Sequence, residues 1–286
     1  MKKIDLMIIG AQKAATTSLK NYLGEHPQIS THEHIEFDFF VDETKYQQGY
    51  DKIFKLYFPS YNNQVIVAKH IKIMYDFSAI KRLYEHNPDI KLVIILRNPI
   101  DRAYSAWLYE KRIGKDQNST FEDAVNLDQI FEGNYYNIYI EYSLYYKYIS
   151  KLLKSKIFKT KQIKIFLYEN LKKNPVSICQ EIFSWLGVKK EFVPNIKKIH
   201  NQAAVSRFLF ITNLIYKDNY AKRLVKMILP HRVRFKISQI ILKLNEKPIA
   251  PPQMNENTRE ILKEFFKTPN KQLSDLLELD LSLWDE

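Results

Sequence analysis

The chain has 286 residues, 45% apolar and 14% aromatic, enough to bury one sizeable core. Lys and Arg outnumber Asp and Glu by 44 to 32, and the resulting formal charge of +12 favours anionic partners such as nucleotides, nucleic acid, acidic polysaccharide or an anionic membrane surface. The single cysteine, Cys179, excludes a disulfide framework and a thiolate metal cluster. Lys2 and Lys3 precede an apolar run, but Leu6 to Ile9 is too short for the apolar core of a secretory leader and is followed by Gln12 and Lys13. No apolar run reaches the roughly 18 residues of a membrane span. The expectation is a cytoplasmic protein, at most peripheral at the inner membrane face.

In chain order, Ile4 to Ile9 is a short apolar run ending at Gly10, as a buried parallel strand would be. Thr16, Thr17 and Ser18 are good N-cap residues, and Leu19, Tyr22 and Leu23 follow at helical spacing. Val65 to Ala68 predicts a second strand, and Phe77 to His86 a helix stopped by Asn87-Pro88. Lys91 to Leu96, KLVIIL, is the clearest central strand. Asn98-Pro99 then opens a helix, with Asn as cap and Pro in the first turn. Ile163 to Leu167 predicts a fourth strand, with helical patterns through Leu186; from Ser206 the pattern is helical, broken at Pro230 and between Pro248 and Pro252. Strands alternating with helices predict an α/β chain: a P-loop-like, doubly wound parallel sheet flanked by helices, with a helical C-terminal part. No repeat or flexible linker divides residues 1–286, which read as a single domain.

Gly10-Ala11-Gln12-Lys13-Ala14-Ala15-Thr16-Thr17-Ser18 lies where a phosphate-binding loop belongs, after a strand and at a helix N-terminus. Free N–H groups and the helix dipole favour an anion there, Lys13 adds a point charge, and Thr16 to Ser18 add hydroxyl donors. The loop fails as a Walker A motif, because G-x-x-x-x-G-K-[ST] needs a second glycine before the lysine.

After KLVIIL comes Arg97-Asn98-Pro99-Ile100-Asp101-Arg102-Ala103-Tyr104-Ser105-Ala106-Trp107. Arg97 ends a strand and can fork onto phosphate oxygens, while Ser105, two turns into the helix, can donate a hydroxyl hydrogen bond. Together the two loops resemble those of the sulfotransferases that use 3′-phosphoadenosine-5′-phosphosulfate (PAPS), of the bacterial carbohydrate and heparan-sulfate type. His26-Pro27, the run Phe166 to Leu171 with Asn174-Pro175 and Ile182 to Gly187, and the close from Pro252 to Trp284 extend the resemblance over most of the chain. It implies transfer of a sulfuryl group from PAPS to an acceptor hydroxyl or amine on a saccharide, polysaccharide or glycolipid. By the same resemblance Lys13, Ala14, Ala15, Thr16, Thr17 and Ser18 hold the 5′-phosphosulfate, Arg97 and Ser105 the 3′-phosphate, and Tyr168 lies near the adenine. One departure stands out: the family has Gly where this chain has Ala15, and a Cβ there either crowds the phosphate or demands a negative φ.

Sulfuryl transfer, like phosphoryl transfer, is an in-line displacement governed by positioning and charge, and the lower charge of a sulfate makes a metal non-obligatory. Lys13 is the candidate for stabilising the bridging oxygen of the leaving 3′,5′-bisphosphate. A general base must take the acceptor's proton. Glu36, in Glu36-Phe37-Asp38-Phe39-Phe40, aligns with the base of the family's K-E-x-x-F-F motif, although Ile35 stands in place of its lysine. Among aromatic rings, desolvation would raise the pKa of that carboxyl. His70, in Lys69-His70-Ile71-Lys72 after the second strand, is the rival base, with Lys69 and Lys72 serving acceptor or sulfate oxygens.

The C-terminal half interleaves Lys222, Arg223, Lys226, Arg232, Arg234 and Lys236 with apolar residues. This reads either as helices with one solvated face or as a surface for peripheral contact with anionic lipid. No RNP, KH or helix-turn-helix signature supports nucleic-acid binding. A P-loop nucleotide-dependent kinase is the alternative enzyme class, opposed by the missing second glycine.

Overall fold

The structure, a computed structural model, describes residues 2–125, 138–196 and 253–285 with a few positions between 205 and 247. In chain order the elements are β1 (Leu6–Gly10), α1 (Thr16–Gly24), β2 (Ile29–Thr31), α2 (Glu43–Gln47), α3 (Tyr50–Tyr57), β3 (Val65–Lys69), α4 (Phe77–His86), β4 (Lys91–Leu96), α5 (Pro99–Arg112), α6 (Phe121–Val125), α7 (Ile138–Glu141), α8 (Tyr145–Lys154), β5 (Ile163–Leu167), α9 (Tyr168–Lys173), α10 (Pro175–Leu186), β6 (Val205–Ser206), β7 (Glu246–Lys247) and α11 (Glu256–Leu277).

β1 to β5 form one parallel sheet in the order β2-β3-β1-β4-β5. The sheet is α/β as expected, and the apolar runs explain it. β1 is buried along its whole length and β4 at all but its first residue, which suits strands covered on both faces. β1 starts at Leu6, not Ile4, because the Ile4 N–H leaves the ladder and donates to His86 Nε2 at 3.1 Å. β2 was not anticipated: it is three residues long, sits at the sheet edge and contains Ser30 and Thr31, so it carries no apolar run. β1 occupies the middle: after it the chain crosses to β2 and β3 on one side, and after β4 it continues to β5 on the other. The carboxyl end of such a strand is a topological switch point, where loops part and leave a crevice for a ligand.

Contacts divide the chain into two compact units. The first, Met1–Arg102 with Tyr142–His200 and Lys263–Glu286, contains the sheet and its core. Here Asn98 joins distant segments: its Oδ1 accepts from the N–H groups of Ile100 and Asp101 at 3.0 and 3.3 Å, and its Nδ2 donates to the carbonyl of Trp284 at 3.1 Å. The second unit, Ala103–Glu141 with Asn201–Leu262, has an aromatic cluster of Tyr104, Trp107 and Phe121 and the antiparallel pair β6-β7. The basic positions Lys222, Arg223, Lys226, Arg232, Arg234 and Lys236, and the breaks at Pro230 and Pro248 to Pro252, lie outside the described residues. Among the described residues no helix is long and apolar enough to cross a membrane.

Because Asn98 is buried and both caps α5 and ties the Trp284 turn, Asn98→Ala is expected to lower unfolding free energy by about 1–2 kcal/mol. The check is a lower urea midpoint at an unchanged slope.

Candidate active site

The loop after β1 is built by backbone conformation more than by side chains. A Cβ on Gly10 would overlap Met74 Sδ, so a larger residue there would require the Met74 side chain to move from the end of β1. Lys13 and Ala15 both take positive φ, 66° and 58°, on either side of Ala14. Such alternation turns successive N–H groups toward one concavity, the arrangement that receives an oxyanion. Thr16, Thr17 and Ser18 do not cap α1 as expected. The N-cap is Ala15, which has no side-chain acceptor, and the three hydroxyls sit inside the first turn. No side chain therefore caps the leading N–H groups of α1. The expectation that a Cβ at position 15 might demand a negative φ is overturned as well: Ala15 accepts the left-handed conformation (φ 58°, ψ 22°) and carries its strain.

Arg97, at the end of β4, reaches this loop directly. Its Nη1 donates to the carbonyl of Lys13 at 3.1 Å, so the two predicted cationic residues belong to one crevice. The guanidinium carbon stands 4.8 Å from the ring centroid of Tyr168, the first residue of α9. Tyr145 donates its hydroxyl to the Arg97 carbonyl at 2.9 Å. Arginine, loop and Tyr168 are thus brought together from the carboxyl ends of β4, β1 and β5. Ser105 is half-buried on α5 and belongs to the second unit.

A second group of polar residues gathers at the carboxyl end of β3, whose neighbour in the sheet is β1. Lys69, buried to 1% exposure, donates through Nζ to Glu36 Oε1 at 2.6 Å, and the Ile71 N–H donates to Glu36 Oε2 at 3.2 Å. Two further bonds stitch the Glu36 segment to β3: Phe37 N–H to the Lys69 carbonyl at 2.8 Å, and Lys69 N–H to His32 Nε2 at 3.1 Å. Glu36 thus faces a cation and an amide donor, not the aromatic surroundings expected; the rings of Phe37, Phe39 and Phe40 turn into the core instead. Burial lowers the pKa of the Lys69 ammonium, and Glu36 opposes that shift. Burial, with Lys20 and Lys69 nearby, holds His32 well below the usual histidine range, so it is a neutral ring accepting through Nε2.

His70 is engaged at both ring nitrogens. Nδ1 accepts from the Lys72 N–H at 3.2 Å, and Nε2 stands 3.3 Å from Asp38 Oδ1. Asp38 also takes bonds from Lys45 and from the Tyr57 hydroxyl at 2.8 Å. Burial pushes the Asp38 carboxyl upward, but the bonds from His70, Lys45 and Tyr57 prevail and hold it well below the usual carboxylate range. The Lys72 side chain is exposed. Sequence reasoning missed Lys20, a buried residue of α1 whose Nζ donates to the carbonyls of His32 and His34, each at 3.0 Å. Only a charged residue on the apolar face of α1, between Leu19 and Tyr22, could have signalled it.

Because Ala15 sits in the left-handed region, Ala15→Gly is expected to stabilise the nucleotide-free protein by about 0.5–1 kcal/mol, seen as a higher melting midpoint.

Comparison with known proteins follows the same lines. Residues 3–213 match the family described as "Sulfotransferase domain". The chain is 30% identical over 195 residues to "Bifunctional heparan sulfate N-deacetylase/N-sulfotransferase 1" of Caenorhabditis briggsae, covering 64% of this chain and 22% of that protein. It is 28% identical over 151 residues to "Heparan sulfate glucosamine 3-O-sulfotransferase 5" of Mus musculus, covering 52% and 43% respectively. The chain therefore spans about a fifth of the first relative and less than half of the second. Its fold resembles the crystal structure of a sulfotransferase from Alicyclobacillus acidocaldarius, with a TM-score of 0.69 at 22% identity over 100% of both chains. Nothing in these matches supports the kinase alternative. On the extent of the family match, this chain belongs to the sulfotransferase domain family.

Proposed function

We propose that this chain moves a sulfuryl group from PAPS to a hydroxyl or amine of a saccharide, polysaccharide or glycolipid. The observation that carries the reading is the bond from Arg97 to the Lys13 carbonyl at the switch point, which brings a guanidinium to the loop that leads into the uncapped N-terminus of α1. That crevice suits a nucleotide with anionic groups at two positions. When bound, PAPS supplies an activated sulfate whose bridging bond leaves a bisphosphate.

In this reading Lys13 to Ser18 cradle the 5′-phosphosulfate, and Lys13 meets the negative charge that stays on the 5′-phosphate as the bridging bond breaks. Arg97, with Ser105 further along α5, holds the 3′-phosphate. Tyr168 supports Arg97 by its ring face, in addition to the adenine contact suggested by the resemblance. Glu36 takes the proton of the acceptor as the acceptor atom bonds to sulfur. The geometry favours Glu36 over His70 as base, because each His70 ring nitrogen is already engaged, whereas the carboxylate has lone pairs beyond those used by Lys69 and Ile71. Lys69 neutralises Glu36 before the proton arrives, and exposed Lys72 remains for acceptor or sulfate oxygens. The two relatives are heparan sulfate sulfotransferases by name, which supports a sugar acceptor.

Calorimetry with 3′,5′-bisphosphoadenosine (PAP) against AMP tests the donor site. Binding on the order of micromolar is expected for PAP, with AMP at least about tenfold weaker, and Arg97→Ala removes the difference. Equal affinities in the unaltered protein would overturn the assignment. For the base, Glu36→Gln is expected to lower kcat with PAPS and heparan sulfate by about 10²–10⁴-fold while leaving PAP affinity unchanged.

A further inference from the structure

Lys20 does not touch the nucleotide loop, yet it is one of the most deeply buried charges in the molecule, at 5% exposure. Its ammonium donates to two carbonyls of one short segment, those of His32 and His34, and Glu36 follows two residues later. On its far side that segment is bonded to β3 through His32, Glu36 and Phe37. The segment is therefore clamped between α1 and β3, with a lysine on each side of the carboxylate. An apolar side chain there would leave two carbonyls without this donor.

We infer that Lys20 is a positioning residue for sulfuryl transfer: through the His32 and His34 carbonyls it anchors the segment that carries Glu36. This rests on the reading of Glu36 as base. The groups facing Lys20 are Glu36, Lys69 and His32, with the His34 carbonyl as its second acceptor. Burial lowers the Lys20 ammonium to about 8, Lys69 pushes the same way, and Glu36 opposes. Lys20 thus stays charged below about pH 8.

Two variants separate anchor from charge. Lys20→Met removes both; Lys20→Gln keeps N–H donors for the carbonyls and removes the charge. Hydrogen exchange needs no acceptor: in Lys20→Met the amides of Phe37 and Ile71, which tie the segment to β3, are expected to exchange about tenfold faster, and in Lys20→Gln nearly at the original rate. With PAPS and heparan sulfate, Lys20→Met is expected to lower kcat by about tenfold with the KM for PAPS little changed, and Lys20→Gln, which keeps donors for both carbonyls, to stay near the original rate. Unmoved exchange and an unmoved kcat in Lys20→Met would sink the inference while leaving Glu36 as base. Full turnover in Glu36→Gln would instead remove the base reading. PAP binding confirms that each variant is folded, and should Lys20→Met fail this control, faster exchange and a lowered kcat in Lys20→Gln decide against the inference.

Discussion

Strand order is the constraint from which the site follows. β1 lies between β3 and β4; after β1 the chain crosses toward β2 and β3, and after β4 toward β5, so the loops after β1 and β4 part over the carboxyl edge of the sheet. The bond from Arg97 to the Lys13 carbonyl spans that junction. One guanidinium carries five donors, and committing one to a loop carbonyl leaves others for a ligand while fixing the plane of the group. Tyr168 beneath it, Tyr145 on its own carbonyl and Asn98 capping the next helix hold the arginine from several sides. Preorganisation of this kind lowers what a doubly charged nucleotide must spend in ordering its own site.

The strain in the neighbouring turn belongs to the same design. Two non-glycine residues at positive φ, Lys13 and Ala15, turn backbone N–H groups inward. Ala15 offers no capping oxygen, so the leading N–H groups of α1 keep the donors that a serine or aspartate would have occupied. In the proposed reading, stability is given up locally at the loop that receives the nucleotide.

Buried charge marks the other half of the site. Lys20 and Lys69 flank Glu36 in surroundings that desolvate both ammonium groups. Beside them, Asp38 gathers His70, Lys45 and Tyr57 into a network that braces the segment after Phe37. Ion pairs so placed contribute little net stability, because desolvation offsets attraction. In the proposed reading their value lies in fixing where Glu36 points.

Local pattern alone determined a good deal. KLVIIL, Ile163 to Leu167 and the run ending at Gly10 announce buried parallel strands because they are apolar without alternation, and Asn98-Pro99 announces a helix start by its capping chemistry. Lys13 and Arg97 were recognisable because a cation after a strand end has few structural reasons to be there. Tertiary structure decided the rest. β2 is too short and polar to be seen, the left-handed turn at Ala15 is imposed by what packs around it, and both His70 nitrogens are claimed by groups that sequence adjacency does not rank. Lys20 looked like an ordinary helix lysine until the carbonyls of His32 and His34, twelve and fourteen residues away, folded onto it. Secondary structure reads out interactions within a few residues of the chain; the charge state and orientation of a catalytic group depend on neighbours that only the packed core brings within hydrogen-bonding reach.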